Sequence, residues 1–134
     1  MVKIVFICDR NTVRSPMAAA LLGRNAESYG LDADEYVDPF ACAAMFEEDL
    51  DITDHQPKTV RFRDLKAGDI VITLSRNAFE TARKWRDKAG FELEYWNLPE
   101  VPGHDAPRDT ILDGYRAIIR AIKGHIDNRF TKGV

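Results

Sequence analysis

The chain has 134 residues, a hydrophobic fraction of 45% and a net charge of −3 at pH 7, the profile of one domain with a real core. The acidic balance argues against a nucleic-acid binder, which would carry a basic face, and against attraction to an anionic membrane. No apolar run approaches bilayer length, and the apolar start from Ile4 to Cys8 is too short for a signal-peptide core, so the expected location is the cytoplasm.

Val2–Ile7 is a β-branched apolar run and reads as a buried strand. Residues 8–15 are polar and irregular. A helix is then expected to open with Ser15 as N-cap and Pro16 at the first helical position, and to run to about Tyr29 with Gly30 as its stop. Residues 31–39 are acidic and offer at most a short edge strand. A second helix fits Ala41 to about Asp49, and 52–67 is a connecting stretch. Ile70–Leu74 is a second strand. Arg76–Lys88 is a helix with Phe79, Ala82 and Trp85 on one face, ended by Gly90. Glu92–Trp96 is a third strand, and 97–109, with three prolines, is a loop. The last helix carries an apolar stripe of Ile111, Leu112, Tyr115, Ile118, Ile119, Ile122 and Ile126 at helical spacing.

Strand–helix alternation predicts a three-layer α/β sandwich around a parallel sheet, with residues 1–134 as one domain. Right-handed crossovers gather the strand C-terminal ends on one rim, where ligands bind in such sheets. Both Cys8 and the 97–109 loop follow strands and fall on that rim.

The informative stretch is Cys8-Asp9-Arg10-Asn11-Thr12-Val13-Arg14-Ser15. A loop that closes onto a helix N-terminus turns several backbone N–H groups inward and makes an anion nest. Arg14 adds a planar fork for two phosphate oxygens. The same positive field favours the thiolate of Cys8, and the Ser15 hydroxyl is placed to donate to it. Taken singly, Cys8 is an ordinary buried cysteine and Arg14 a solvated surface arginine. A chance C-x5-R-[ST] is expected in roughly one chain of this length in a hundred, and a chance copy rarely falls between a strand and a helix.

The segment Val5-Phe6-Ile7-Cys8, Asn11 and Arg14-Ser15-Pro16-Met17-Ala18 resembles the N-terminal signature of the low-molecular-weight protein tyrosine phosphatase family, whose fold includes the thioredoxin-coupled arsenate reductases. The resemblance extends to Asp51-Ile52, His55, Lys58, the Ile70–Leu74 strand, Tyr95-Trp96 and the last helix. It implies a four-stranded parallel sheet flanked by helices, a cysteinyl-phosphate intermediate, and neither metal nor other cofactor. It implies that residues 9–15 bind phosphate, that Asn11 and Ser15 hold the loop in shape, and that His55 supports the loop from behind. The family's general acid is an aspartate of an Asp-Pro pair before the last helix. Counting from Trp96 and back from Tyr115 puts Glu100 at that position, with Asp105 as its competitor.

Several residues depart from the family pattern. Val13 replaces a second loop cysteine, and Arg10 replaces the usual loop glycine. Asp9 sets a carboxylate beside the nucleophile, which disfavours a dianionic substrate. Val101, Pro102 and Gly103 stand where aromatic residues often line the cleft, and Phe40 is a candidate pocket wall or core residue. The second strand is shortened or missing around 31–38, and Ser75 lies near where the family has an aspartate. The expected partner is a phosphorylated protein or small phosphorylated molecule, or an oxyanion such as arsenate, met by a monomer or weak homodimer. The leading expectation is a phosphatase with Cys8, Arg14 and Glu100 as its catalytic residues. The alternatives are an arsenate reductase using an external thiol, because residues 75–90 hold no cysteine and Cys42 reads as a core residue, and a catalytically weak phosphate-binding domain.

Overall fold

The computed structural model of the protein describes residues 2–131. Ile4–Cys8 forms β1, and all five residues are buried. A strand apolar on both faces belongs inside a parallel sheet. With β2 (Glu27–Gly30), β3 (Ile70–Thr73) and β4 (Glu92–Tyr95), β1 makes a four-stranded parallel sheet of order β2-β1-β3-β4. The helices are α1 (Arg14–Leu22), α2 (Pro39–Phe46), α3 (Arg76–Ala89) and α4 (Arg108–Ile126).

The chain moves from β1 to β2 in one direction and from β3 to β4 in the other. Crossovers of one hand taken in opposite directions place their helices on opposite faces of the sheet. Accordingly Ile4, Phe6 and Cys8 face Met17, Met45, Tyr115 and Ile118, contributed by α1, α2 and α4. Val5 and Ile7 face the other way, onto Ala78 and Ala82 of α3 with Val60, Leu65 and Phe91. The strand order reverses between β1 and β3, and Cys8 ends β1 at that crevice, the usual ligand position in an open α/β sheet.

Several local expectations are corrected. The first helix stops at Leu22, because Gly23 turns to φ 71° and Arg24 and Asn25 follow at φ 57° and 58°. The second strand therefore lies at Glu27–Gly30, ahead of the 31–38 stretch, and pairs along β1 from Val5↔Glu27 to Cys8↔Gly30. Ser15 is not the N-cap. The helix opens at Arg14 with Val13 in the cap position, and no side chain caps it. The second helix is shifted to Pro39–Phe46, with Asp38 as its cap: Asp38 Oδ1 accepts from the N–H of Phe40 at 2.7 Å and of Ala41 at 3.2 Å. In α3 the buried residues are Ala78 and Ala82, while Phe79 sits to the side against Tyr95. The apolar stripe of α4 is buried at every expected position. Among the described residues, no helix is long and apolar enough to cross a membrane.

Gly30 has a different reason to be glycine from the helix stop expected of it. A Cβ there would lie 2.7 Å from both the Arg10 carbonyl carbon and the Asn11 nitrogen. The backbone after Cys8 passes directly over it, so β2 and that loop fit together only without a side chain. Gly30→Ala is expected to lower unfolding free energy by about 1–3 kcal/mol, measured by urea denaturation; an unchanged midpoint would show that the loop yields freely.

Candidate active site

Residues 9–13 link β1 to α1. Their path is fixed by the segment that follows β2. The N–H groups of Leu31, Asp32, Asp34 and Asp38 donate to the carbonyls of Cys8, Asp9, Arg10 and Thr12, at 3.0, 3.0, 3.1 and 3.1 Å. The 31–39 stretch, expected to hold at most a short edge strand, is thus an irregular rail that ties the loop carbonyls outward. Among the described residues, the N–H groups of residues 10–14 make no such bond. Together with the Ser15 N–H in the first turn of α1 they form a cluster of donors without backbone partners, suited to an anion.

Asn11 holds this shape. It is fully buried and its backbone is left-handed at φ 59°, a conformation asparagine tolerates better than most residues. Its Nδ2 donates to Ser15 Oγ at 2.7 Å and to Ser28 Oγ at 3.0 Å. Its Oδ1 accepts from the Lys58 N–H at 2.9 Å and lies 3.1 Å from His55 Nε2. That nitrogen is also 3.1 Å from the Asn11 carbonyl. With acceptors on both sides, it carries the proton. Burial depresses the His55 pKa below its ordinary 6.5; the Asn11 bond opposes this and the Lys58 charge adds to it.

Cys8 is buried, and its Sγ lies 2.9 Å from Ser15 Oγ. The Ser15 hydroxyl also faces the Tyr29 carbonyl at 3.2 Å. A hydroxyl has one proton. It donates to Tyr29 while Cys8 is a thiol that donates to it, and turns to the sulfur once Cys8 is a thiolate. Arg14 is buried at the start of α1, with Nη2 3.9 Å from Asp9 Oδ2. Asp9 is held by Ser75, whose Oγ donates to Oδ1 at 2.8 Å and accepts from the Ala78 N–H at 3.1 Å. Arg10 is turned to the rim, paired with Asp32 at 3.1 Å.

A cleft of about 290 Å³ is lined by Cys8, Asp9, Arg10, Thr12, Val13, Arg14, Asp38, Glu100 and Val101. It brings together the thiol, the guanidinium and Glu100. Asp105 is not among the lining residues and is exposed. Phe40 does not line the cleft either; it packs 5.8 Å from Tyr115 and 5.0 Å from His104. A larger hollow of about 430 Å³ lies behind the loop against Ser28, His55 and Lys58, but it contains neither the thiol nor the arginine, so the smaller cleft is the candidate site. Sequence reasoning missed Asp38 in the cleft wall, Ser28 behind Asn11, and Ser75 as the support of Asp9. Only Asp38 carried a local signal, as an Asp-Pro pair opening a helix.

The family model described as low molecular weight phosphotyrosine protein phosphatase matches residues 3–129. The chain belongs to that family. An arsenate reductase of Staphylococcus xylosus is 31% identical over 107 residues, 76% of this chain and 80% of that protein. A glutaredoxin arsenate reductase of Synechocystis is 28% identical over 138 residues, 98% of both chains. A tyrosine phosphatase structure from Erwinia amylovora covers 96% of this chain and 93% of its own, with TM-score 0.71 and 21% identity, a likeness of fold. Family membership makes this an enzyme of the superfamily that handles phosphate esters and related oxyanions.

Two outcomes follow from the loop. Asn11→Ala removes four hydrogen bonds of about 1 kcal/mol each and is expected to cost about 3–5 kcal/mol in urea unfolding; a loss below about 1 kcal/mol would contradict the network. For His55, the unfolded chain takes up its proton at higher pH than the folded one. Its contribution is full above the ordinary 6.5 and falls as pH drops through that value toward the depressed folded one. The stability gap between wild type and His55→Gln is therefore expected to shrink as pH falls; a widening gap would mean that the folded state prefers the charged ring.

Proposed function

We propose that the protein is a cysteine-dependent phosphatase that hydrolyses a phosphomonoester, of a protein phosphotyrosine or a similar group, through a cysteinyl-phosphate. The observation that carries this reading is the single cleft shared by the Cys8 thiol, the Arg14 guanidinium and the Glu100 carboxyl above a cluster of free backbone donors. Both cysteines are free thiols, the state that a reducing cytoplasm preserves.

In this reading Cys8 Sγ attacks phosphorus, forming the S–P bond as the P–O bond to the leaving group breaks. The loop N–H groups and Arg14 hold the equatorial oxygens, where charge gathers in the transition state. Glu100 gives its proton to the leaving oxygen and then takes one from the water that attacks the cysteinyl-phosphate. The sulfur leaves as a thiolate, and the Ser15 hydroxyl at 2.9 Å turns to it. Asn11 fixes the serine oxygen from the opposite side.

A second reading, arsenate reduction with an external thiol, is favoured by the named arsenate reductases among the relatives. Arsenate has the shape of phosphate and fits the same donors. Cys42 gives this reading little help. It is half-buried on α2, and burial, followed by the charges of Asp38 and Asp51, pushes its thiol pKa up, away from the reactive thiolate.

The two readings separate in one set of assays. Wild type is expected to hydrolyse para-nitrophenyl phosphate and Cys8→Ser to lose that activity. Glu100→Gln is expected to slow phenyl phosphate, with its poorer leaving group, more than Asp105→Asn does. No hydrolysis by folded wild type, together with arsenate-dependent oxidation of an added thiol, would instead establish the reductase.

A further inference from the structure

Glycine inside a helix costs about 1 kcal/mol relative to alanine, and Gly114 lies within α4. A Cβ on Gly114 would stand 2.4 Å from Pro102 Cγ and 3.3 Å from Pro102 Cβ. These are atoms of a closed ring, which cannot swing aside as a flexible side chain does. Gly124, farther along the same helix, would meet nothing within 4 Å, so the close approach is particular to Gly114.

Pro102 is two residues beyond Glu100. Glu100 is itself exposed, so its own side-chain packing does not place it; its neighbours do. Leu98 is buried in the core and Val101 packs against it. Pro102 rests on Gly114. Two residues later, His104 Nε2 lies 3.4 Å from Tyr115 Oη, and Tyr115, fully buried, donates to Asp38 Oδ2 at 2.8 Å. Asp38 lines the cleft with Cys8. The acid loop is thus seated on adjacent residues of α4, Gly114 and Tyr115, and the second of these reaches the cleft wall.

We infer that Gly114 is a positioning residue, the seat that lets Pro102 approach α4 closely enough to hold Glu100 over the Cys8 cleft. The inference rests on the reading of Glu100 as general acid. A side chain at 114 would lift the loop, and a displacement of about 1 Å at a reacting group costs up to about a hundredfold in rate. In the step that forms the cysteinyl-phosphate, the loss falls on protonation of the leaving group, because the loop after Cys8 keeps its own bonds through Asn11 and Ser15.

The test compares kcat/KM, which reads the steps up to departure of the leaving group and not the later water attack in which Glu100 also serves, for para-nitrophenyl phosphate and phenyl phosphate in wild type, Gly114→Ala, Glu100→Gln, the combination of these two, and Pro102→Ala with Gly114→Ala. Gly114→Ala is expected to slow phenyl phosphate about tenfold or more and the nitrophenyl ester much less. Inhibition by inorganic phosphate should be unchanged. Added to Glu100→Gln it should do nothing further, and Pro102→Ala, which removes the ring that clashes, should recover most of the rate. Equal losses on both esters, weakened phosphate inhibition, a full additive loss beside Glu100→Gln, or no recovery with Pro102→Ala would each overturn the positioning role. If Glu100→Gln itself shows no dependence on the leaving group, the acid assignment fails and this inference with it. If Glu100→Gln shows that dependence while Gly114→Ala is silent, the inference alone fails.

Discussion

Asn11 bonds to three other parts of the chain at the point where β1 turns into α1. Its amide nitrogen bonds Ser15 in the helix and Ser28 in β2, and its oxygen takes the Lys58 N–H and the His55 ring proton. Few side chains can do this. Aspartate lacks the two donors and glutamine is longer by a methylene. The position also demands a left-handed backbone. Each bond is worth about 1 kcal/mol net, but a buried donor or acceptor left without a partner costs more than that. The amide therefore holds the loop after Cys8 in one shape, and through Ser15 that shape reaches the Cys8 sulfur. His55 belongs to the same constraint: its bond to the loop requires a ring proton on Nε2, and its burial favours the neutral ring.

The charges of the cleft form a second layer on this frame. Arg14 is the buried cation beside the thiol, and Asp9 stands 3.9 Å from it. Asp9 is not a loose carboxylate next to the nucleophile, because Ser75 at the start of α3 fixes it from behind. In the proposed reading, an entering oxyanion shares Arg14 with Asp9, so the carboxylate that orients the guanidinium also sets a threshold for a dianion. Glu100 approaches from the other side of the crevice, on a loop whose path is governed by Leu98, Val101 and Pro102 rather than by bonds of its own carboxyl. In the proposed reading the anion cradle and the acid are the two halves of the site, and Tyr115, bonded to Asp38, links the α4 side to the loop after Cys8.

What could be read from the sequence was what rests on neighbours in the chain. Cys8, Arg14 and Ser15 sit in one motif, β1 is one apolar run, and the stripe of α4 repeats at helical spacing. These need no tertiary context. The β2 strand was hidden because Glu27-Ser28-Tyr29-Gly30 is short and polar for a strand; it forms by pairing with β1, and nothing local marks it apart from the Gly23–Asn25 break. Ser15 looked like a helix cap because its neighbours permit one, yet its hydroxyl is drawn to Cys8 and Asn11. Asp38, Ser75 and Gly114 act on residues far away in sequence. Gly114 in particular reads as a flaw in a good helix until the approach of Pro102 is seen.

In the proposed reaction Cys8 forms a covalent bond to phosphorus in a loop shaped by Asn11 and Arg14. Intact-protein mass spectrometry of enzyme mixed with para-nitrophenyl phosphate and quenched in acid within the first turnover reads that bond. One added phosphoryl group is expected, located on Cys8 and absent from Cys8→Ser. Ester hydrolysis by wild type with no phosphorylated Cys8 at any quench time would contradict it.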